Sequence, residues 1–274
     1  VRQGIYDSLD IKIDFITYAS ATDRDAAFLS GKLDGMLTDY PGATLLQAKG
    51  SRLRLVMETD GSLSLIASKK SNVRNPDDLK GKNISVSGNT FVEYATDEVM
   101  KRACLHPGEV NKPEINNIPL RLMMLEDGQI SASFLPGPAT AIALNDGHTA
   151  LLNTRQMGLR CTGIVFSEKA ITEKDEEIRR FITGYNLGVK YLQTRPQNEW
   201  TEILVKEFGL QEKAAMQIDL PDYRPATRPS YHDIEKIIAW LKSKGAIPDY
   251  YPGENLVDTT FIPVSYTHLT LPTN

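Results

Sequence analysis

Apolar positions in this chain follow two rhythms, one of period two and one near 3.6, and the switch between them repeats. Ile11, Ile13 and Phe15 alternate with polar residues, which predicts a strand over Ile11 to Tyr18. Thr22-Asp23-Arg24-Asp25 resembles a capping box with Asp in the third position, and opens a helix through Ala26, Ala27 and Leu29 that stops at Gly31. Leu33 to Thr38 predicts a short strand running into Asp39-Tyr40-Pro41-Gly42. Pro41 starts a second helix, through Leu45 and Leu46, that closes at Gly50. Arg52 to Glu58 and Leu63 to Ser68 are strand runs on either side of the turn pair Asp60-Gly61.

The pattern then restarts. Asn75 to Gly81 predicts one helical turn stopped by glycine, and Ile84 and Val86 form a short strand that ends in Ser87-Gly88-Asn89-Thr90. A helix runs from Phe91 to about Leu105. Strand, small polar turn and helix leave backbone N–H groups facing whatever lies beyond the strand end. Gly88 permits a close approach there, and Thr90 or Asn89 can cap the helix. An ordinary βα connection has the same pattern. Val110 to Ile118 reads as a weak strand, and Pro119 to Asp127 as a helix with Leu122, Met123 and Leu125 on its apolar side. Gln129 to Leu135 is a strand ending in Pro136-Gly137-Pro138, followed by a helix over Ala139 to Leu144. Ala150 to Asn153 and Cys161 to Phe166 are strands. From Thr172 the chain turns helical: Asp175 to Thr194 is amphipathic and ends before Pro196, and Trp200 to Phe208 and Tyr231 to Lys244 follow.

In each block a helix-glycine-strand unit, Phe28 to Gly35 and Met124 to Ile130, precedes a strand that ends in a proline-bearing turn. The recurrence predicts two similar α/β lobes, each presenting turns at its strand ends, where open α/β sheets bind ligands. The 274 residues suffice for two medium domains, and 41% hydrophobic with 24% charged residues is ordinary for a folded chain. No apolar run approaches the roughly 20 residues of a spanning helix. A net charge of −4 without a basic patch argues against a nucleic-acid partner. Cys104 and Cys161 lack metal or redox spacing and read as two unpaired, partly buried thiols, with a single bridge also open.

The run Asp25 to Gly35, the segment Asp78 to Val86 and Leu125 through Pro138 resemble the periplasmic solute-binding proteins of the nitrate/sulfonate/taurine and thiamine-precursor group, the receptors of ABC importers. The resemblance spans about residues 4–262. It implies an α/β, type II periplasmic-binding-protein-like fold with mixed sheets, a hinge of two crossings and a helical C-terminal part. The crossings are expected near Ile66–Ser68 and Ile164–Ser167, with lobe one over residues 1–67 and 164–262 and lobe two over 68–163. It further implies an extracytoplasmic, periplasmic or lipid-anchored monomer that captures a small organic solute and hands it to membrane permease subunits. No cofactor, metal or catalytic step is called for. Against the family pattern, a leader, a first strand and its loop are missing, so the chain reads as truncated at its N-terminus, with lobe one exposing apolar surface and losing stability. Val264 to Asn274 does not fit the family and reads as a translated adaptor or fusion scar.

Within that frame the candidate ligand-binding residues are Asp39, Tyr40 and Pro41 in lobe one, and Gly88, Asn89, Thr90 and Phe91 in lobe two. Phe134, Pro136 and Gly137 end another strand, and Thr162 lies beside the second crossing. The backbone N–H groups of residues 88–91 suit a carboxylate, sulfonate or phosphate, while Tyr40, Phe91 and Phe134 would supply stacking surface. Tyr40 packed under its helix explains that residue equally well. Catalytic patterns are poorly represented. His106, His148, His232 and His268 are scattered, and neither a Gly-x-Ser-x-Gly elbow nor a phosphate-binding Gly-x-x-x-x-Gly-Lys loop is present. The acidic run from Glu173 to Glu177 suits a solvated helix start. Two other readings stay open: an enzyme of the same fold acting in cofactor biosynthesis, whose cysteine-rich motif this chain lacks, and a ligand-sensing domain of a regulator.

Overall fold

The computed structural model describes residues 4–216, 218 and 222–262. The N-terminal Asp7–Leu9 forms one tight turn, and a run without regular structure leads to α1 (Ala21–Leu29), capped by Ser20. Then come β1 (Gly35–Asp39), α2 (Tyr40–Ala48), β2 (Leu53–Thr59) and β3 (Leu63–Ala67). A short turn at Pro76–Leu79 precedes β4 (Ile84–Ser85), α3 (Phe91–Arg102), α4 (Ile118–Asp127), β5 (Ala132–Pro136), α5 (Gly137–Asn145), β6 (Thr149–Asn153) and β7 (Thr162–Ser167). The remainder is helical: α6 (Glu168–Glu173), α7 (Asp175–Thr194), α8 (Gln197–Phe208), α9 (Glu212–Met216) and α10 (Tyr231–Ser243). Among the described residues no helix is long and apolar enough to cross a membrane.

The strands divide into two sheets, ordered β1-β7-β2 and β4-β5-β3-β6. In the first, β7 runs antiparallel between β1 and β2; in the second, β3 lies antiparallel between β5 and β6, and β4 is parallel to β5. The expected α/β architecture with mixed pairing and a helical end is therefore present. The expected crossings are displaced. β3 pairs with β5 and β6 and so belongs to the second sheet, while β7 belongs to the first; the chain passes between sheets at residues 60–62 and 154–161. Asp60-Gly61 thus carries a crossing. Pairing settles this: β3 finds its register partners in Ala132 to Pro136 of β5.

Three predicted elements differ. The first helix starts at Ala21 because the Ser20 hydroxyl accepts from Asp23 N, ahead of the apparent capping box. Residues 11–18 form no strand, and Phe15 and Ile16 are exposed. A strand requires a partner for its N–H and C=O groups, and the outer edge of β1 pairs with none among the described residues. Val110 to Ile118 contributes only isolated bridges, Asn83 to Asn111 and Val86 to Glu114. The tail from Val264 lies outside the described residues.

The largest apolar cluster draws on both sheets: Leu53, Leu55 and Val165 from the first, Leu65, Ala132 and Phe134 from the second. The helical C-terminal part also touches both. α10 packs on the first-sheet side with Ile234, Ile237 and Leu241 in that core, whereas Ala214 and Ala215 of α9 bury against Ala141 of α5.

Candidate functional site

The strand ends of the two sheets face each other across the crossings. Thr162 is the register partner of both Asp39 and Thr59 in the first sheet, and Leu63 of Pro136, with Ser64 of Asn153, in the second. β1 ends at Asp39 and β4 just before Ser87, and each is followed by a helix whose first N–H groups point into this region.

Asp39 ties the two sides together. It is the N-cap of α2, with Oδ1 accepting from Gly42 N at 2.7 Å, while Oδ2 accepts from Phe91 N, the first residue of α3, at 3.0 Å. One carboxylate thereby caps helices on different sheets, where both dipoles favour a negative charge. Burial pushes its pKa up, opposed by Arg24 and by the two N–H donors. Two further donors there are engaged within the chain. Asn89, held in the left-handed region at φ 54°, donates its N–H to Glu93 Oε2 at 2.8 Å, and Thr90 Oγ1 accepts from Val92 N at 3.2 Å. Burial of Glu93 would raise its pKa, but Lys244 and the Asn89 N–H hold it below the usual range. Gly88 lies under the Glu114 carboxylate, which comes within 2.8 Å of where a Cβ would sit.

The aromatic candidates must be corrected. Tyr40 and Phe134 are fully buried and Phe91 is 2% exposed, all in the core that spans both sheets, so none presents a face for stacking. Tyr40 donates to Glu58 Oε2 at 3.0 Å, and burial together with that carboxylate raises its pKa far above the ordinary value. Pro41 is buried beside it. Thr162 is half-buried and hydrogen-bonded to Thr59, 2.9 Å between hydroxyls and 3.0 Å to the carbonyl.

The sequence pattern did not reveal the ion cluster on the crossing. Arg224 donates from its backbone N and Nε to Asp60, each at 2.8 Å, and from a terminal nitrogen to Glu58 Oε1 at 2.6 Å. The signal available was Glu58, a charged residue at the end of a buried strand run. Across the same divide, Trp240 Nε1 donates to Asp97 at 2.9 Å, the Trp240 ring meets Tyr94 edge-on at 5.3 Å, and Lys244 pairs with Glu93 at 2.5 Å.

Open space lies elsewhere along the strand ends. A groove of about 250 Å³ is lined by Ser62, Ser64, Gly137, Thr140, Asn153 and Gln156. Of the sequence candidates it includes Gly137, exposed at the start of α5, with Pro136 adjoining it. α5 has no side-chain cap, in contrast to α2 and α3, and since Pro136 and Pro138 carry no N–H, Gly137 is the first-turn donor it brings to the groove. α3, by contrast, is capped by the chain itself, through Thr90 and Asp39. A second groove, of about 360 Å³, lies at the opposite end of the first sheet, between Phe28, Arg52, Ser167 and Lys174.

No group of three His, Cys, Asp or Glu suited to a metal occurs among the described residues. Cys161 is buried and its thiol is pushed well up by burial, then by Asp233, Asp39 and Glu58, so it is held as the neutral thiol.

The family model described as NMT1/THI5 like matches residues 1–199. No curated protein matches the sequence. Among solved structures, the chain is similar to the alkanesulfonate-binding protein SsuA from Xanthomonas axonopodis pv. citri bound to MOPS, at 17% identity over 90% of this chain and 88% of that one, with a TM-score of 0.76. It is similar to the periplasmic nitrate-binding protein NrtA from Synechocystis PCC 6803, at 12% identity over 91% and 78% of the two chains and a TM-score of 0.77. It is also similar to the desulfurization enzyme DSZB, at 12% identity over 95% and 92% and a TM-score of 0.64. At these identities the likeness is one of fold.

Proposed function

The chain belongs to the NMT1/THI5-like family, and on that premise we propose that it is the solute-binding receptor of an ABC importer. It works outside the cytoplasmic membrane and delivers a small organic solute to permease subunits as a monomer. Two lobes, built on the two sheets, move about the crossings at residues 60–62 and 154–161. The observation that carries this reading is a groove at the strand ends of the second sheet that takes in the uncapped start of α5 and, through Ser62 and Gln156, both crossings to the first sheet.

The solute binds in that groove. The first turn of α5 supplies dipolar anchoring; Ser64, Thr140, Asn153 and Gln156 supply hydrogen bonds. Because Ser62 and Gln156 belong to the crossings themselves, a solute that fills the groove acts on the segments about which the lobes turn. Capture is a population shift: a solute stabilises the closed arrangement by as much as its affinity for that arrangement exceeds its affinity for the open one. The Asp39–Phe91 bond and the Trp240–Asp97 contact belong to the closed arrangement and break on opening. The candidates are a sulfonate, a nitrate-like anion or a thiamine-precursor pyrimidine.

A thermal-shift screen over those three classes tests the reading. A true ligand raises Tm in proportion to the logarithm of its concentration above saturation. Failure of all three classes to shift Tm contradicts it. Substrate turnover would instead establish an enzyme on this fold, as DSZB exemplifies.

A further inference from the structure

The second sheet holds a charge that the fold leaves unbalanced. Arg121, on α4, is 2% exposed, and no carboxylate pairs with it among the described residues. A terminal nitrogen donates to Phe134 O at 3.1 Å and reaches Ser133 Oγ at 3.5 Å, while Nε has no partner. Ser85 Oγ, fully buried, has none either. Ser85 and Ser133 are register partners in the β4–β5 pair, so their side chains share a face, the one α4 covers. Ser133 donates to Ser85 O at 3.1 Å, leaving the Ser85 hydroxyl free.

A guanidinium taken out of water without an anion is costly. Burial alone pulls the Arg121 pKa down to about 10, and no opposing charge restores it. A methionine would fill the same space at no such cost. An unpartnered cationic donor and an unpartnered hydroxyl on one face are, however, what an oxyanion requires. Arg121 lies one turn from the start of α4, where Ile118 N donates to Ala19 O at 3.3 Å across the divide between the sheets.

We propose that Arg121, Ser85 and Ser133 form a binding subsite for a small oxyanion group on the α4 face of the second sheet. Arg121 supplies the positive charge and the Nε donor, and Ser85 supplies a hydroxyl donor. The subsite is separate from the 250 Å³ groove, with Ile66 and Leu135 packed on the sheet between them. It does not depend on a role in transport. The oxyanion is either a free inorganic ion or the acidic head of an organic solute.

Thermal unfolding of the full chain tests this with sodium nitrate, sodium methanesulfonate and sodium butanesulfonate, each against sodium chloride at equal ionic strength. Nitrate and methanesulfonate raise Tm with the logarithm of concentration beyond the chloride control. Response to butanesulfonate identifies the head of an organic solute; response to nitrate and methanesulfonate without it identifies a free ion. R121M abolishes the anion response while its anion-free Tm equals or exceeds that of the parent, an outcome a purely structural arginine does not give. S85A keeps the fold and weakens the half-saturating concentration at least tenfold. G137L leaves the nitrate response intact, which separates this subsite from the groove. Equal stabilisation by nitrate, methanesulfonate and chloride overturns the proposal, as does an S85A response identical to the parent's.

Discussion

The Asp39 carboxylate accepts the Phe91 N–H at 3.0 Å, from a strand end on one sheet to the first residue of a helix on the other. The same group caps α2 through Gly42. A turn that reads in the sequence as an anchor for a foreign anion is in the folded chain held by one of the protein's own.

That carboxylate makes stability depend on acid in a direction unusual for Asp. Its folded pKa lies above the ordinary 3.8, chiefly through burial, so the native state holds the proton more tightly than the unfolded chain. Its contribution is greatest below pH 3.8 and declines as pH rises through the folded pKa. D39N removes that decline. Urea unfolding of parent and variant across this range should show their stability difference shifting against the parent as pH rises, then levelling; a flat difference contradicts the assignment.

Tyr40 matters for stability rather than for the ligand. Y40F leaves Glu58 Oε2 without a buried donor, although Arg224 still engages Oε1. The expected cost is about 1–3 kcal/mol, a loss of several degrees in Tm. Solute-induced shifts in Tm should be unchanged, and a selective loss of the solute response would restore Tyr40 to the site.

Gly184 lets the N-terminal segment dock. The Tyr6 ring lies over α7, stacked on Phe181 at 5.7 Å, and a Cβ on Gly184 would come within 2.2 Å of it. G184A forces the ring away, at roughly 1–3 kcal/mol. Limited proteolysis should then cut residues 4–18 faster than in the parent, and an unchanged rate contradicts the packing.

Periodicity and punctuation made most of the elements legible. The β1–α2 unit follows from the run ending at Asp39-Tyr40-Pro41, and α7 from its apolar stripe, because both are set by local spacing. What was not legible depends on distant partners. That β3 joins the second sheet is decided by β5 and β6, which lie far along the chain. Residues 11–18 have the right alternation but no neighbouring strand to complete it. The burial of Tyr40, Phe91 and Phe134 follows from two sheets sharing a core, which strand-end turns do not announce. The Arg224 cluster joins residues over 160 positions apart, and its only local trace was Glu58 in an apolar run. Gly137 was legible as a strand-end turn, and the missing cap of α5 follows from proline at position 136, which has no side-chain acceptor.

The groove at the start of α5 is the centre of the account, and G137L addresses it directly. A Cβ at position 137 meets nothing within 4 Å, so leucine is accommodated by the fold while its side chain projects into the solute's space. Titrating alkanesulfonates and pyrimidines by thermal shift against an R121M parent, which lacks the anion response of the α4 face, and against R121M/G137L should give a concentration-dependent rise for at least one organic class in this parent and none in the double variant, with solute-free Tm values alike. Equal responses in the two proteins, or none in the parent, would place solute capture elsewhere or nowhere on this chain.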